Sequence, residues 1–373
     1  MSDDKENIEE EINESHERTN KCVRQFVQIS FEREAEHQVA VLKEKFENDK
    51  SGLSASSSSN SSISSNLEDD KVYVNGCSAS VGTIIKREAL HLRQSYHSLD
   101  VHGKAIISLG LNSILDLSFS KPDAQGKLFE RSQWKQLRDR YPPKKYNVDD
   151  YTHLLKPLSS IRGIYDRKKS FDTNWLNLYM ELKRLNNEYD PNIQAEHSDL
   201  NFCIHLLLQI ISIIKNQPHL FDDEVDSSEW DFVVKFWGVV TERLFHGTNL
   251  RLKWGDTHLT VHDTVSDLLL KVDLRILHDR VRQRYNIETD VGVFEAAEEE
   301  PGNVIYISDR CKVMIENKAV IDKFVLDGCL IDSVDSLQVC GLEIHFGNTT
   351  LAEPGLYIGT QSYTVIPAEF VGC

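Results

Sequence analysis

Residues 271–278 read KVDLRILH, residues 290–297 read DVGVFEAA, and residues 308–327 run SDRCKVMIENKAVIDKFVLD. In the first stretch Val272, Leu274 and Ile276 alternate with Lys271, Asp273 and Arg275, the period of a half-exposed strand. In the second, Val291, Val293, Glu295 and Ala297 share one face while Gly292, Phe294 and Ala296 share the other, so the strand is apolar on both sides. The third returns to helical spacing, with Ser308 placed as an N-cap and Gly328 as a stop. Upstream, NLRLKW (249–254) reads as one more strand. Before it, SEWDFVVKFWGVVTERLFH (228–246) reads as a helix with Ser227 or Ser228 as cap and Gly247 as stop, its Trp230, Val233, Val234, Trp237, Val240, Leu244 and Phe245 making a wide apolar face. Downstream, alternation over 339–346 predicts another strand, with shorter ones at 355–359 and 363–366. The order is helix, three strands, helix, strand, with strand additions at the end.

Ahead of this unit, residues 84–220 are mostly helical in pattern: IIKREALHLRQSYH, GKAIISLGLNSILDL, LFERSQWKQLRDRY and WLNLYMELKRLNNEY are separated by Pro122, Pro142-Pro143, Pro157 and Pro191. The apolar run FCIHLLLQIISII (202–214) is too short to cross a bilayer, which takes about 20 residues, and reads as a buried core helix. Residues 51–65 (SGLSASSSSNSSISS) hold ten serines, a composition that cannot bury enough apolar surface to offset the entropy of ordering. The predicted organisation is α+β: an acidic, partly helical arm and serine-rich linker over 1–70, an α-helical region over 71–227, and a sheet domain over 228–373.

The whole chain of 373 residues carries a net charge of −17 and is 40% hydrophobic, which excludes a collagenous, wholly disordered or disulfide-scaffold protein. Its first 70 residues hold 17 acids against 8 bases, whereas 71–229 hold 20 against 21, so only the middle offers a basic surface. There, Lys127, Arg131, Lys135 and Arg138 fall on one helical face, with Lys144 and Lys145 following and Phe129, Trp134, Tyr141 and Tyr146 interleaved. Cations and rings together suit a nucleic-acid groove; a solvated face over an aromatic core is the other reading. Arg167, Lys168 and Lys169 form a second small cluster.

Seven scattered cysteines without a C-x-x-C pair, and an acidic start where an export signal needs an apolar run, predict reduced thiols in an intracellular protein, cytoplasmic or nuclear and not secreted. The sequence contains no phosphate-binding G-x-x-x-x-G-K-[ST] loop, no H-E-x-x-H and no G-x-S-x-G elbow. Nucleotide-dependent enzymes, zincins and common serine hydrolases are therefore unsupported. Glu295 stands out instead, because a carboxylate on a strand that is apolar on both faces needs a metal, a cation or a raised pKa. The alternative places it at a fraying strand end leading into Glu298, Glu299 and Glu300.

With its order of elements and with Asp273 on the second strand and Glu295 on the third, residues 228–373 resemble the PD-(D/E)XK nuclease-like core. The resemblance implies that these two carboxylates share a Mg²⁺ or Mn²⁺ ion and orient water against phosphate. The lysine expected two residues after the third-strand acid is Ala297 here, and Val272 stands where that pattern has proline. In members whose lysine has moved to the following helix, the matching position here is Lys312, with Lys318 the second choice. A fold retained without catalysis is the alternative within the resemblance. Stretches such as SEWDFVVKFW, RLKWGDT and GLYIGTQSYTVIPAEF also resemble expanded protein families of mucoralean moulds over residues 200–373, which bring no established activity with them. The rival expectation is a non-enzymatic scaffold that meets a protein partner through its helical region, with an apolar patch exposed on that layer.

Overall fold

The computed structural model describes residues 70–365 except 119–123, 146–150, 162, 165–168, 190–197, 223–224, 226, 247, 260–270, 283–284, 298–301 and 330. The acidic arm, the serine-rich linker, Tyr146, Arg167, Lys168 and the Gly247 stop lie outside the described residues. The chain is α+β, with helices in the middle and a mixed sheet towards the C-terminus.

The strands are β1 (Ile114–Asp116), β2 (Leu250–His258), β3 (Lys271–Arg282), β4 (Tyr285–Ala297), β5 (Ser333–Cys340), β6 (Glu343–Glu353) and β7 (Leu356–Val365). They form one seven-stranded sheet in the order β1-β7-β6-β5-β4-β3-β2. β2, β3 and β4 make an antiparallel meander. β5 then lies parallel to β4, with Val293 opposite Ser336 and Ala297 opposite Cys340. Parallel neighbours need a crossover, and the long helix over Gly302–Leu326 supplies it.

The helices, in chain order, are α1 (Val81–Arg93), α2 (Val101–Leu111), α3 (Arg131–Arg140), α4 (Thr152–Leu158), α5 (Phe171–Glu188), α6 (Ser198–Asn216), α7 (Glu229–Phe232), α8 (Gly238–Phe245) and α9 (Gly302–Leu326). A π-helical stretch, Val233–Trp237, joins α7 to α8. Its wider turn lets the consecutive residues Phe236 and Trp237 both be buried, their rings perpendicular at 4.9 Å. The Trp237 indole donates to the Gly341 carbonyl at 2.6 Å, tying this helix to the β5–β6 turn. Ser228 caps α7 in a reciprocal box with Asp231, as its position predicted.

The helical middle and the sheet share structure across residue 227. The ILDL stretch, expected to continue a helix, leaves α2 at Ser113, whose φ is +58°. It pairs instead as β1, parallel to β7, with Leu115 opposite Ile358. Leu115 and Ile358 share a small core with Val72, Val74, Phe129, Trp134 and Leu137. Arg310 on α9 adds a buried link to the Asp116 carboxylate, its Nε at 3.0 Å. A helical 71–227 and a separate 228–373 domain are therefore not the division of the fold: the sheet takes an edge strand from the first segment.

Three other expectations change. The strand expected over 339–346 is two strands, because Gly341 adopts φ +56° and turns the chain so that Cys340 faces Glu343. The two short strands expected over 355–366 are the single strand β7. Helix α9 begins at Gly302 rather than at a Ser308 cap, while its end is as expected: Gly328 has φ +73° and the Cys329 amide donates back to the Phe324 carbonyl at 2.8 Å.

Helices α1 and α2 meet at Gly110. A Cβ there would fall 2.6 Å from the Ile85 carbonyl oxygen and 2.7 Å from the Ala89 methyl, so a methyl forces the helices apart. Gly110→Ala is expected to lower stability by about 1–3 kcal/mol in urea denaturation; parent-like stability would contradict this close approach.

Candidate functional site

Strands β3 and β4 run antiparallel with Leu274 opposite Phe294, so one step further Asp273 faces Glu295 on the same side of the sheet. The two side chains cross over to each other's backbone. Asp273 Oδ2 accepts from the Ala296 amide at 3.0 Å, and Glu295 Oε1 accepts from the Asp273 amide at 3.4 Å. The opposite face, with Leu274 and Phe294, packs under Trp254, whose indole donates to Glu242 of α8 at 2.7 Å. Helix α9 covers the carboxylate face, and its Lys312 donates to Glu295 Oε2 at 2.5 Å.

Glu295 is 2% exposed, because every residue from Val291 to Ala297 is buried. Burial, and then the Asp273 carboxylate beside it, push the Glu295 pKa up to about 8, against the opposing pull of Lys312. Burial acts against the Lys312 charge, but the Glu295 carboxylate and its hydrogen bond outweigh it, and the lysine pKa is raised. On the flank, Arg275 is buried and forked onto Asp290 at 2.6 and 2.9 Å, so its charge is directed along the sheet.

Lys318 is elsewhere. It pairs with Asp322 and sits 5.0 Å from the centre of the Tyr357 ring, and Tyr357 donates to the same Asp322. Of the two migrated-lysine positions, only Lys312 reaches the carboxylates. The reason is helical phase: a separation of six residues turns the side chain about 240° around the axis.

Two further acids, not singled out in the sequence, join the cluster from α9. Asp309 is pushed up to about 6 by burial, with Lys312 opposing and Asp273 adding to the rise. Glu316, one turn beyond Lys312, is 0% exposed, and neither of its oxygens has a hydrogen-bond partner among the described residues. Its pKa is driven up to about 10 by burial first and by Glu295 second. The i, i+4 relation of Lys312 and Glu316 was readable in KVMIENK; that this face turns towards Glu295 was not.

Asp273 and Glu295 are the residues that could hold a metal. Among the described residues no group of three or more His, Cys, Asp or Glu side chains is placed to hold an ion. An ion there would take two carboxylates from the protein and complete its shell with water, which is the habit of Mg²⁺. Hard carboxylate oxygens, with a lysine alongside, fit such an ion.

The basic stripe has its cations on the outside: Lys127, Arg131 and Lys135 are exposed and Arg138 is half-buried. Phe129 and Trp134, however, lie in the core beneath, stacked on each other at 6.2 Å. Those two rings are thus unavailable for stacking on bases. Lys144 pairs with Asp335 at 3.5 Å. The described cysteines, Cys77, Cys203, Cys311, Cys329 and Cys340, form no disulfide. No helix among the described residues is long and apolar enough to cross a membrane.

Comparison of the chain with protein-family models, with curated proteins and with solved structures returns no match.

Proposed function

We propose that this chain is a nuclease-like protein of the PD-(D/E)XK kind that acts on or binds nucleic acid at a single divalent-metal site. The observation that carries this reading is the meeting of three elements: Asp273 on β3, Glu295 on β4 and Lys312 on α9 converge on one face of the sheet. The strand order β2-β3-β4-β5, with β4 and β5 parallel across a helix, supports it. Asp273 and Glu295 would hold Mg²⁺ or Mn²⁺, and such an ion supplies an activated water and positive charge against a phosphate. Lys312 places an ammonium at the same edge, where it can face charge that develops on the phosphate. The side chain of Lys312 is about one-third exposed, so it can turn from Glu295 towards a ligand.

The test is calorimetric titration of Mn²⁺ into the full chain, used whole because β1 completes the sheet, beside Glu295→Gln. One site in the parent, lost in the variant, is the expected result. Absence of binding in the parent would leave the carboxylates structural and overturn the reading.

The scaffold reading has its own observation. On α5, Leu176 and Met180 are 52% and 61% exposed and one helical turn apart, a small apolar patch on the helical layer where a protein partner could dock.

A further inference from the structure

We propose that Glu316 is a third acidic wall of the cation site, acting on the bound ion through an intervening water. This inference rests on the metal reading of Asp273 and Glu295 and extends it to a residue outside the strand motif.

The argument begins with what a core-facing position of α9 ordinarily carries. Val313, Met314, Val320, Ile321 and Phe324 occupy such positions and are all buried in the main core. Glu316 is buried as deeply as any of them, yet it brings two polar oxygens, and neither finds a hydrogen bond among the described residues. A packing role would be filled better by an apolar side chain, since a buried carboxyl without a partner is costly. Unsatisfied buried groups of this kind mark places where a water or ion belongs.

The neighbours of Glu316 narrow that partner to a cation. The groups that act on it electrostatically are Glu295, Lys312, Asp273 and Asp309, so among the described residues here carboxyl groups surround a single ammonium. That ammonium is bonded to Glu295. The four acids exceed the one base by three charges when ionised, a surplus that suits a divalent cation and repels an anion.

Geometry also separates the role of Glu316 from that of the strand acids. Asp273 and Glu295 are cross-strand neighbours with interlocked hydrogen bonds, whereas no three acids in the described structure are grouped closely enough to ligate one ion together. Glu316 therefore reaches the ion at one remove. A hydrated Mg²⁺ or Mn²⁺ keeps several of its waters, and a carboxylate that accepts from one of them orients the shell and strengthens binding.

The experiment measures Mn²⁺ affinity of the full chain by calorimetry for the parent, Glu316→Gln and Glu295→Gln, with the metal-free thermal midpoint of each. Glu316→Gln keeps the size of the side chain and removes its charge. Affinity is expected to fall about 10-fold or more, with a metal-free midpoint at or above that of the parent. Affinity within twofold of the parent, while Glu295→Gln abolishes binding, would overturn the role of Glu316 and leave the strand site standing. No binding in the parent would overturn both. Should Glu316→Gln fail to fold, Glu316→Met takes its place, with the same loss of affinity expected and the same twofold limit deciding against it.

Discussion

Between pH 6.5 and 8 the full chain is expected to lose stability without any metal present. In the folded chain burial pushes the Glu295 carboxyl up to about 8 from an ordinary 4.5, and Glu316 up to about 10. The native state therefore keeps protons that the unfolded chain has released. Stability from a carboxyl raised in this way is fully present below 4.5 and is lost as pH rises through the folded value. His345 works in the opposite sense: burial, and then the Arg310 charge, hold its imidazole down at about 4 instead of 6.5. Its contribution is present above 6.5 and lost as pH falls towards 4, so the window above 6.5 isolates the acids. A full proton difference is worth about 1.4 kcal/mol per pH unit, which makes the combined loss across this window roughly 2–4 kcal/mol. Denaturant unfolding at the two ends of the window measures it, and Glu316→Gln should remove about half of the slope. Stability that rises with pH over this range would mean that the acids are ionised and compensated in the folded chain.

Phe294→Ala is expected to cost about 3–5 kcal/mol, a large share of the 5–15 kcal/mol that typically holds a domain together. Phe294 is fully buried on β4, between β3 and β5, and meets Trp254 edge to face at 5.8 Å. It packs on the face opposite Glu295, where Leu274 lies across the ladder, so its removal leaves a cavity with no room for local collapse. Urea denaturation of the full chain gives the value, with Leu176→Ala, at an exposed position of α5, as the comparison, expected within about 0.5 kcal/mol of the parent. A loss below about 1 kcal/mol for Phe294→Ala would show that β4 is not packed on both faces.

Local chemistry made much of the fold legible. The period-two pattern of KVDLRILH, the pattern of DVGVFEAA with apolar residues on both faces, the Ser228 cap and the Gly328 stop are each visible without a partner, and each is found. Glu295 was conspicuous for the same reason, as a charge that its own strand cannot solvate.

What escaped was set at a distance. ILDL carries helical spacing through GKAIISLGLNSILDL, yet β7, more than two hundred residues later, takes it as a strand, because backbone groups at a sheet edge are satisfied by whichever segment packing brings there. The break at Cys340–Glu343 was masked by an alternation that runs straight through a two-residue turn.

Periods of two and 3.6 along the chain were enough for the α+β class and for the helix and strands around Asp273, Glu295 and Lys312, and they set Lys312 and Glu316 one turn apart on that helix. The packed fold is what turns their face of the helix towards Glu295, sets Asp273 beside it through the strand register, and seals in Glu316 with no hydrogen-bond partner among the described residues. Those outcomes depend on how α9 is rotated against the sheet, and that rotation is chosen by the packing of Val313, Met314, Ile321 and Phe324 into a core assembled from distant segments.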